Sequence, residues 1–239
     1  MKFCLIRHAN EIITFPPSIK KGMLKAEGIY KRYGQKEVLK GVDISIEKAS
    51  LVSIVGASGA GKSTLLHILG TLDSPDSGSI FLQDQPVHTL KGKMLANFRN
   101  QHIGFIFQFH HLLPEFSVLE NICIPAWIAG TSKSKVQKKA TNLMEVLGIG
   151  ELSDKKPNQL SGGEQQRTAI ARALINQPDI VFADEPTGNL DSKNAREMQQ
   201  LFLDLRKQFG QTFLIVTHNE ELAGICDRKL TMKDGLIIH

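Results

Sequence analysis

The chain has 239 residues, of which 41% are hydrophobic and 22% are charged. These proportions are those of an ordinary globular protein, and the length is sufficient for one domain with its own core and a smaller lobe. The sequence contains no fixed-period repeat and no low-complexity tract, which excludes the solenoid and disordered classes. The formal net charge of +5 allows contact with nucleic acid or an anionic membrane but does not establish either.

The sequence also excludes several other classes. It has no run of the ~18 to 20 apolar residues that cross a bilayer. Its three cysteines, Cys4, Cys123 and Cys226, are far apart and lack metal-ligand spacing. An odd number of separated cysteines is typical of a reduced compartment. If this protein works at a membrane, we therefore expect another subunit to hold it there.

The first 22 residues differ from the rest. Charged and polar residues such as Arg7 and Glu11 interrupt any apolar signal-peptide core, and Pro16-Pro17 interrupts regular structure. A strand-like pattern starts at Met23. We predict that residues 1–22 are a non-native or disordered extension and that residues 23–239 form the functional domain. Mass spectrometry of the native N-terminus tests this prediction.

The predicted elements begin with short alternating stretches at residues 24–29, 37–39 and 42–46, which are typical of small antiparallel strands. A buried strand at residues 51–55 is followed by a glycine-rich turn and by a helix at residues 63–69. The period then becomes helical between residues 118 and 150. The other predictions are strands at 79–82, 103–107, 180–183 and 212–216, helices at 163–175 and 192–209, and a hairpin turning at Lys233-Asp234-Gly235. This alternation predicts an α/β fold with a helical insertion.

The glycine-rich turn carries the most specific motif. It reads Gly56-Ala57-Ser58-Gly59-Ala60-Gly61-Lys62-Ser63, followed by Thr64, and fits the pattern G-x-x-x-x-G-K-[ST]. Its glycines allow successive N–H groups to turn towards phosphate oxygens. Lys62 supplies a positive charge and Ser63 a hydroxyl for Mg²⁺, while the following helix directs its positive end at the same anion. The motif predicts binding of a nucleoside triphosphate.

Two adjacent carboxylates form the second motif. Asp184 and Glu185 end the apolar strand predicted at residues 180–183, at the edge where open α/β sheets bind ligands. A strand that ends in solvated acids is a common arrangement, but after a phosphate-binding loop it has a chemical use. We predict that Asp184 holds Mg²⁺ and that Glu185 polarises the attacking water.

The third motif shows a family resemblance. Its residues are Leu160-Ser161-Gly162-Gly163-Glu164-Gln165-Gln166-Arg167, which resemble the signature sequence of ATP-binding-cassette (ABC) ATPases. A serine and two glycines at a helix N-terminus make a second anion site. The resemblance runs from about residue 23 to the C-terminus. It implies a P-loop NTPase fold with a RecA-like core, an antiparallel β subdomain and a helical subdomain inserted at about residues 109–166.

The resemblance also assigns single residues. Gln108 is similar to the glutamine that contacts Mg²⁺ or water in these ATPases. His218 is similar to the histidine that holds the γ-phosphate and positions the base. Tyr33 is similar to the aromatic residue that stacks on adenine, with Tyr30 as the competing candidate. Asp191 lies in a segment similar to the one that couples the two sites of the dimer.

The resemblance implies that ATP and Mg²⁺ bind between two copies of the chain in a head-to-tail dimer. The metal would be held by Ser63, Gln108 and Asp184. Residues of the second copy would complete the site, namely Ser161, Gly162, Gly163, Glu164 and Asp191. In-line hydrolysis would use Glu185, His218 and Gln108 as the catalytic residues.

The segment from Phe107 to Asn121, with Leu113-Pro114-Glu115-Phe116, is most similar to the lipoprotein-release ATPases of Gram-negative bacteria. This similarity implies a motor on the cytoplasmic face of the inner membrane, bound to two integral-membrane subunits and not to nucleic acid. The segment that follows Asp184 is shared with macrolide-exporter and cell-division ATPases, which remain the alternatives. Loop 110–114 is expected to contact the membrane subunits.

Overall fold

The computed structural model describes residues 22–238, which form two sheets, seven α-helices and three short 3₁₀ helices. The smaller sheet has the strand order β2-β1-β4-β5, and all of its paired strands are antiparallel. Its strands are β1 (Gly22–Tyr33), β2 (Lys36–Glu47), β4 (Ser77–Leu82) and β5 (Gln85–Pro86). Of the predicted extension at residues 1–22, residues 1–21 lie outside the described residues, and Gly22 is the first residue of β1.

The predicted short strands at the start of the chain are in fact two long ones. β1 and β2 each contain 12 residues, and their register shifts where one strand holds an extra residue. Gly28 (φ 59°) and Gly41 (φ 90°) lie at two of these shifts. Glycine adopts this left-handed backbone easily, so the strand bends at a bulge and continues beyond it. The alternating apolar pattern is interrupted at these two glycines, so the sequence predicts shorter strands, although the pairing of the strands continues past them.

The larger sheet forms the centre of the molecule. Its strand order is β10-β9-β3-β8-β7-β6, in which only β10 is antiparallel to its neighbour. Its buried strands are runs of apolar residues, as expected for parallel strands covered on both faces. The strands are β3 (Leu51–Val55), β6 (Ile103–Ile106), β7 (Ile180–Asp184), β8 (Thr212–Val216), β9 (Arg228–Lys233) and β10 (Leu236–Ile238).

Helices cover both faces of this sheet. They are α1 (Lys62–Leu69), α2 (Gly92–His102), α3 (Val118–Ile128), α4 (Lys133–Val146), α5 (Gly162–Leu174), α6 (Ser192–Phe209) and α7 (Glu220–Gly224). The sequence pattern does not reveal α2 or α7. In α2 only Phe98 is buried, and α7 has five residues, so neither shows a helical apolar period.

The sheet separates two apolar cores. Phe182 belongs to the core shared with the smaller sheet and α1, whereas its neighbour Val181 belongs to the core shared with α3, α4, α5 and α6. Successive strand residues point to opposite faces, so one strand supplies both cores. The predicted α/β class is confirmed. The subdomain limits at about residues 109–166 stay a prediction.

Within residues 22–238, no helix combines the length and apolar character needed to cross a bilayer.

Candidate active site

The glycine-rich loop joins β3 to α1. A Cβ atom on Gly56 would lie 2.1 Å from the Met232 carbonyl oxygen of β9, so only glycine fits at this position. Lys62 is buried, and its ammonium donates hydrogen bonds to the carbonyl oxygens of Gly56 (2.8 Å) and Ala57 (3.0 Å). The first N–H groups of α1 have no partners within the helix and carry partial positive charge. The loop therefore combines a fixed backbone curve with a cation and helix-end donors.

The carboxylate of Asp184 lies beside this loop, at the end of β7. Its Oδ1 accepts a hydrogen bond from Ser63 Oγ (3.1 Å), and His67 Nε2 lies 3.8 Å from its Oδ2. Burial raises the pKa of Asp184. A hydroxyl and a carboxylate are hard oxygen donors that suit Mg²⁺.

The small number of protein ligands in this donor set also fits Mg²⁺. Within residues 22–238 there is no group of three or more His, Cys, Asp and Glu side chains able to hold a metal. Magnesium is usually bound by one or two protein oxygens together with water and substrate phosphates. Ser63 and Asp184 match this mode of binding.

Glu185 follows Asp184 in a strained conformation (φ 46°), which is uncommon for a residue with a side chain. Its N–H donates to the Val216 carbonyl oxygen (2.9 Å), which ties the turn to the end of β8. Its carboxylate accepts hydrogen bonds from the Thr217 hydroxyl and the His218 N–H, each at 3.2 Å. His218 Nδ1 lies 2.8 Å from Glu185 Oε1. Two parallel strands thus bring an acid and a histidine into contact.

A cavity of about 510 Å³ opens between the loop, the turn after β7 and the hairpin of β1 and β2. Ten of the predicted residues line it, namely Tyr33, Gly56, Ser58, Gly59, Gly61, Lys62, Ser63, Thr64, Glu185 and His218. Ala57 and Ala60 are not in the lining. The Ala57 carbonyl oxygen instead holds Lys62, and that of Ala60 accepts from the Gly235 N–H (3.1 Å).

The cavity also contains residues that the sequence did not reveal. Lys36 and Val38, at the start of β2, complete its wall. Their type and spacing follow no motif, so only the pairing of β1 with β2 brings them to the site. The same pairing separates the two tyrosine candidates. Tyr33 lines the cavity, whereas the Tyr30 ring lies over Gly41 of β2.

Gln108 does not line this cavity. It follows β6, and its carbonyl oxygen accepts a hydrogen bond from Asn189 Nδ2 (2.9 Å). Its side-chain Nε2 faces Asn189 Oδ1 at 3.4 Å. The structure thus joins Gln108 to the turn that follows Glu185.

The signature segment lies away from the cavity. Ser161 begins α5 through a reciprocal cap, in which Ser161 N–H donates to Glu164 Oε2 (2.7 Å) and Ser161 Oγ accepts from Glu164 N–H (3.4 Å). Asp191 begins α6 in a similar way by accepting from the Asn194 N–H (2.9 Å). None of the five residues predicted to act on a second copy lines the cavity, namely Ser161, Gly162, Gly163, Glu164 and Asp191.

The comparisons with known proteins define the class first. Residues 39–188 match the model of the ABC transporter family. The dimeric structure of a bacterial ABC transporter cassette has 38% identity and a TM-score of 0.83, covering 91% of this chain and 97% of that chain. The dimeric post-hydrolysis state of an ATP-binding cassette with ADP and Pi has 37% identity, the same TM-score and the same coverage. The chain therefore belongs to the ABC transporter family, as an ATPase that binds ATP and powers a transporter.

Curated relatives refine this assignment. The lipoprotein-releasing system ATP-binding protein LolD of Cytophaga hutchinsonii is 58% identical over 216 residues, which cover 90% of this chain and 99% of that protein. LolD of Bacteroides fragilis is 56% identical, with 90% and 100% covered. LolD of Shewanella frigidimarina is 48% identical, with 91% and 93% covered. The predicted resemblance to the lipoprotein-release ATPases is confirmed.

Proposed function

We propose that this chain drives the release of lipoproteins from the inner membrane, as a head-to-tail dimer bound to two integral-membrane subunits on the cytoplasmic face. One observation carries the proposal. The cavity contains the phosphate-binding loop, Glu185 and His218, but the signature segment of the same chain lies outside it. A second copy of the chain supplies the missing wall. The high identity to LolD proteins supports lipoprotein as the cargo.

The loop residues bind the triphosphate. Backbone N–H groups of residues 56–64 and the N-terminus of α1 surround the β- and γ-phosphates. Lys62 turns its ammonium from the carbonyl oxygens of Gly56 and Ala57 towards the phosphates. Phosphate oxygens are stronger acceptors than carbonyl oxygens because they carry charge. Lys62 therefore stabilises the charge that builds up on the transferred group.

Glu185 and His218 organise the attacking water. Glu185 accepts a proton from that water, and a positioned general base contributes about 10²- to 10⁴-fold to the rate. His218, 2.8 Å from Glu185 Oε1, holds the carboxylate and reaches the γ-phosphate from the β8 side. Because Glu185 itself adopts the strained conformation and its N–H is bonded to the Val216 carbonyl oxygen, its position depends on the sheet.

Ser63 and Asp184 would hold Mg²⁺, with Gln108 completing the set from the turn after β6. The ion, when bound, neutralises charge on the phosphate oxygens. Ser63 Oγ and Asp184 Oδ1 already lie 3.1 Å apart, so both oxygens face one point beside the loop. The contact of Gln108 with Asn189 links this set to the segment that precedes Asp191.

The signature segment serves the other copy. The N-terminus of α5, with Ser161 and Gly163, binds the γ-phosphate that the partner's loop holds. Gly162, Glu164 and Asp191 complete this surface. Each dimer then contains two sites, and each copy supplies a different part of each site.

A second groove, beside β6 and separate from the cavity of the phosphate-binding loop, is suited to binding the membrane subunits. It has a volume of about 360 Å³ and lies between α2, α3 and α5. Its lining includes Phe105, Phe107 and Ile128, and Ile128 is 72% exposed. Arg172 in its floor donates to the carbonyl oxygens of His110 and His111, each at 2.7 Å. A helix bound in this groove would contact Arg172. Because Arg172 bonds loop 110–114, which follows Gln108 in the chain, movement of the helix would shift Gln108.

Purification of the chain from its native membrane tests the proposal. We expect two integral-membrane proteins to co-purify and ATP to release lipidated protein from vesicles that contain all subunits. Co-purification of a drug-efflux permease or a cell-division protein instead would contradict the assignment of lipoprotein as the cargo. Ile128→Asp should lose the membrane proteins, whereas Leu236→Asp, an exposed apolar residue of β10, should retain them.

A further inference from the structure

Tyr33 is held by a segment that the proposed function does not use. The 73–76 loop, with the sequence Asp73-Ser74-Pro75-Asp76, follows α1, the helix that begins at the phosphate-binding loop. At the end of α1, the His67 carbonyl oxygen accepts hydrogen bonds from the N–H groups of Leu72 (2.8 Å) and Asp73 (3.3 Å). These bonds fix the start of the 73–76 loop to the helix.

The same loop is attached to β1 at several points. Asp76 N–H donates to the Tyr30 carbonyl oxygen (2.9 Å), and Asp76 Oδ2 accepts from the Arg32 N–H (2.7 Å). Lys31 is 9% exposed, and its ammonium donates to Asp73 Oδ1 (3.0 Å) and to the Ser74 carbonyl oxygen (2.6 Å). A nearly buried ammonium with a carboxylate partner favours one arrangement, because breaking the pair leaves a charge without compensation.

This network ends at the Tyr33 ring. The phenol hydroxyl donates to Asp73 Oδ2 (2.5 Å), and Lys31 Nζ lies over the ring, 5.1 Å from its centroid. The hydrogen bond to Asp73 raises the pKa of Tyr33, so the phenol stays protonated and remains a donor. Tyr33 is 51% exposed, and its phenol group also interacts with the Thr64 side chain. The hydrogen bond to Asp73 and the ammonium group of Lys31 restrain the orientation of the ring.

We infer that Asp73 is a positioning residue that holds Tyr33 as a platform for the nucleotide base and sets the distance of that platform from the phosphate-binding loop. The inference rests on the proposed ATPase function and on the stacking role that the family resemblance implies for Tyr33. α1 begins at Lys62, which binds phosphate, and its other end carries the 73–76 loop. The helix is thus a rigid spacer between recognition of the phosphates and recognition of the base. Stacking depends on ring orientation, so a ring fixed in advance loses less entropy on binding.

Binding of two ligands to the purified chain tests this inference. Calorimetry with Mg-ATP and with Mg-tripolyphosphate, which has no base, separates the two kinds of recognition. Asp73→Ala should weaken ATP binding about two- to tenfold, the effect of one lost hydrogen bond, and leave tripolyphosphate binding unchanged. Tyr33→Phe keeps a stacking ring but loses the anchor, so it should show the same pattern. If Asp73 had only a structural role, Asp73→Ala would weaken the binding of both ATP and tripolyphosphate.

The double variant provides the second readout. Because Asp73 and Tyr33 act through one hydrogen bond, the variant with both changes should bind ATP no more weakly than either single variant. Asp84→Asn, another aspartate of the same subdomain, is the matched control and should bind ATP like the wild type. If Tyr33→Ala weakens ATP binding but Asp73→Ala does not, the inference is overturned and the stacking role stands. If Tyr33→Ala changes the binding affinity for neither ligand, the stacking role itself is overturned.

Discussion

The two segments for which anion binding is proposed, residues 56–63 and residues 161–164, differ in what surrounds them. Around the first lie Asp184 and Glu185 at the end of β7 and His218 after β8; Glu185 and His218 line the cavity with the loop, and Asp184 accepts a hydrogen bond from Ser63 of the loop. In the second, Ser161 is exposed, and its hydroxyl exchanges hydrogen bonds with Glu164 of its own helix. Similar local chemistry thus forms a site in one place and an open surface in the other. The difference supports the proposal that one chain holds half of two sites and not one whole site.

The largest expected effect is at Glu185. Glu185→Gln should lower ATP hydrolysis by about 10²- to 10⁴-fold, because the amide cannot accept the proton of the attacking water. Binding of ATP should be retained, and dimers should accumulate on size-exclusion chromatography with ATP. Phosphate release is the measurement for the rate. Glu221→Gln, an exposed carboxylate on α7, is the control; a near-normal rate in the Glu185 variant would contradict the assignment.

Lys62→Ala tests the enclosed segment directly. Loss of a charge-assisted contact should weaken ATP binding about ten- to a hundredfold, as measured by calorimetry. Lys133→Ala, at the start of α4, removes a lysine far along the chain and should leave binding unchanged. Undiminished affinity in the Lys62 variant would remove the basis for the phosphate-binding role.

A mixing experiment tests whether the two segments belong to different copies. Lys62→Ala and Ser161→Arg should each be nearly inactive alone. Mixed in equal amounts, they should regain activity, because a mixed dimer contains one site with an intact loop and an intact signature segment. Random pairing makes half of the dimers mixed, so about a quarter of the wild-type sites are restored. A mixture no more active than its components would mean that both segments act within one chain.

The smallest expected effect is the loss of a helix cap, and it separates the capping role of Ser161 from its role in ATP hydrolysis. Ser117 and Ser161 each cap a helix through the same reciprocal bond with a glutamate, Glu120 and Glu164. Replacing either serine by alanine should lower the free energy of unfolding by about 1 kcal/mol, as measured by urea denaturation. Only Ser161→Ala should also lower ATP hydrolysis. An equal loss of hydrolysis in both variants would assign Ser161 a structural role alone.

Much of the site could be predicted because its parts are local. The loop at residues 56–63 and the pair Asp184-Glu185 depend on neighbouring residues in the chain, and their spacing alone indicates how the backbone turns. The predicted helix at residues 192–209 and strand at residues 212–216 match α6 and β8, since both carry strong apolar patterns. α2 was missed because a single buried phenylalanine leaves no apolar period.

The sequence by itself determined the class of fold, the phosphate-binding loop and the family, because these are written in short runs of adjacent residues. Only the tertiary structure decided which tyrosine lines the cavity, that Lys36 and Val38 share it, and that Asp73 anchors the Tyr33 ring. Asp73 and Tyr33 are 40 positions apart and meet because β1 packs beside the loop that leaves α1. Contacts of this kind arise from packing of whole elements, and no local pattern encodes them.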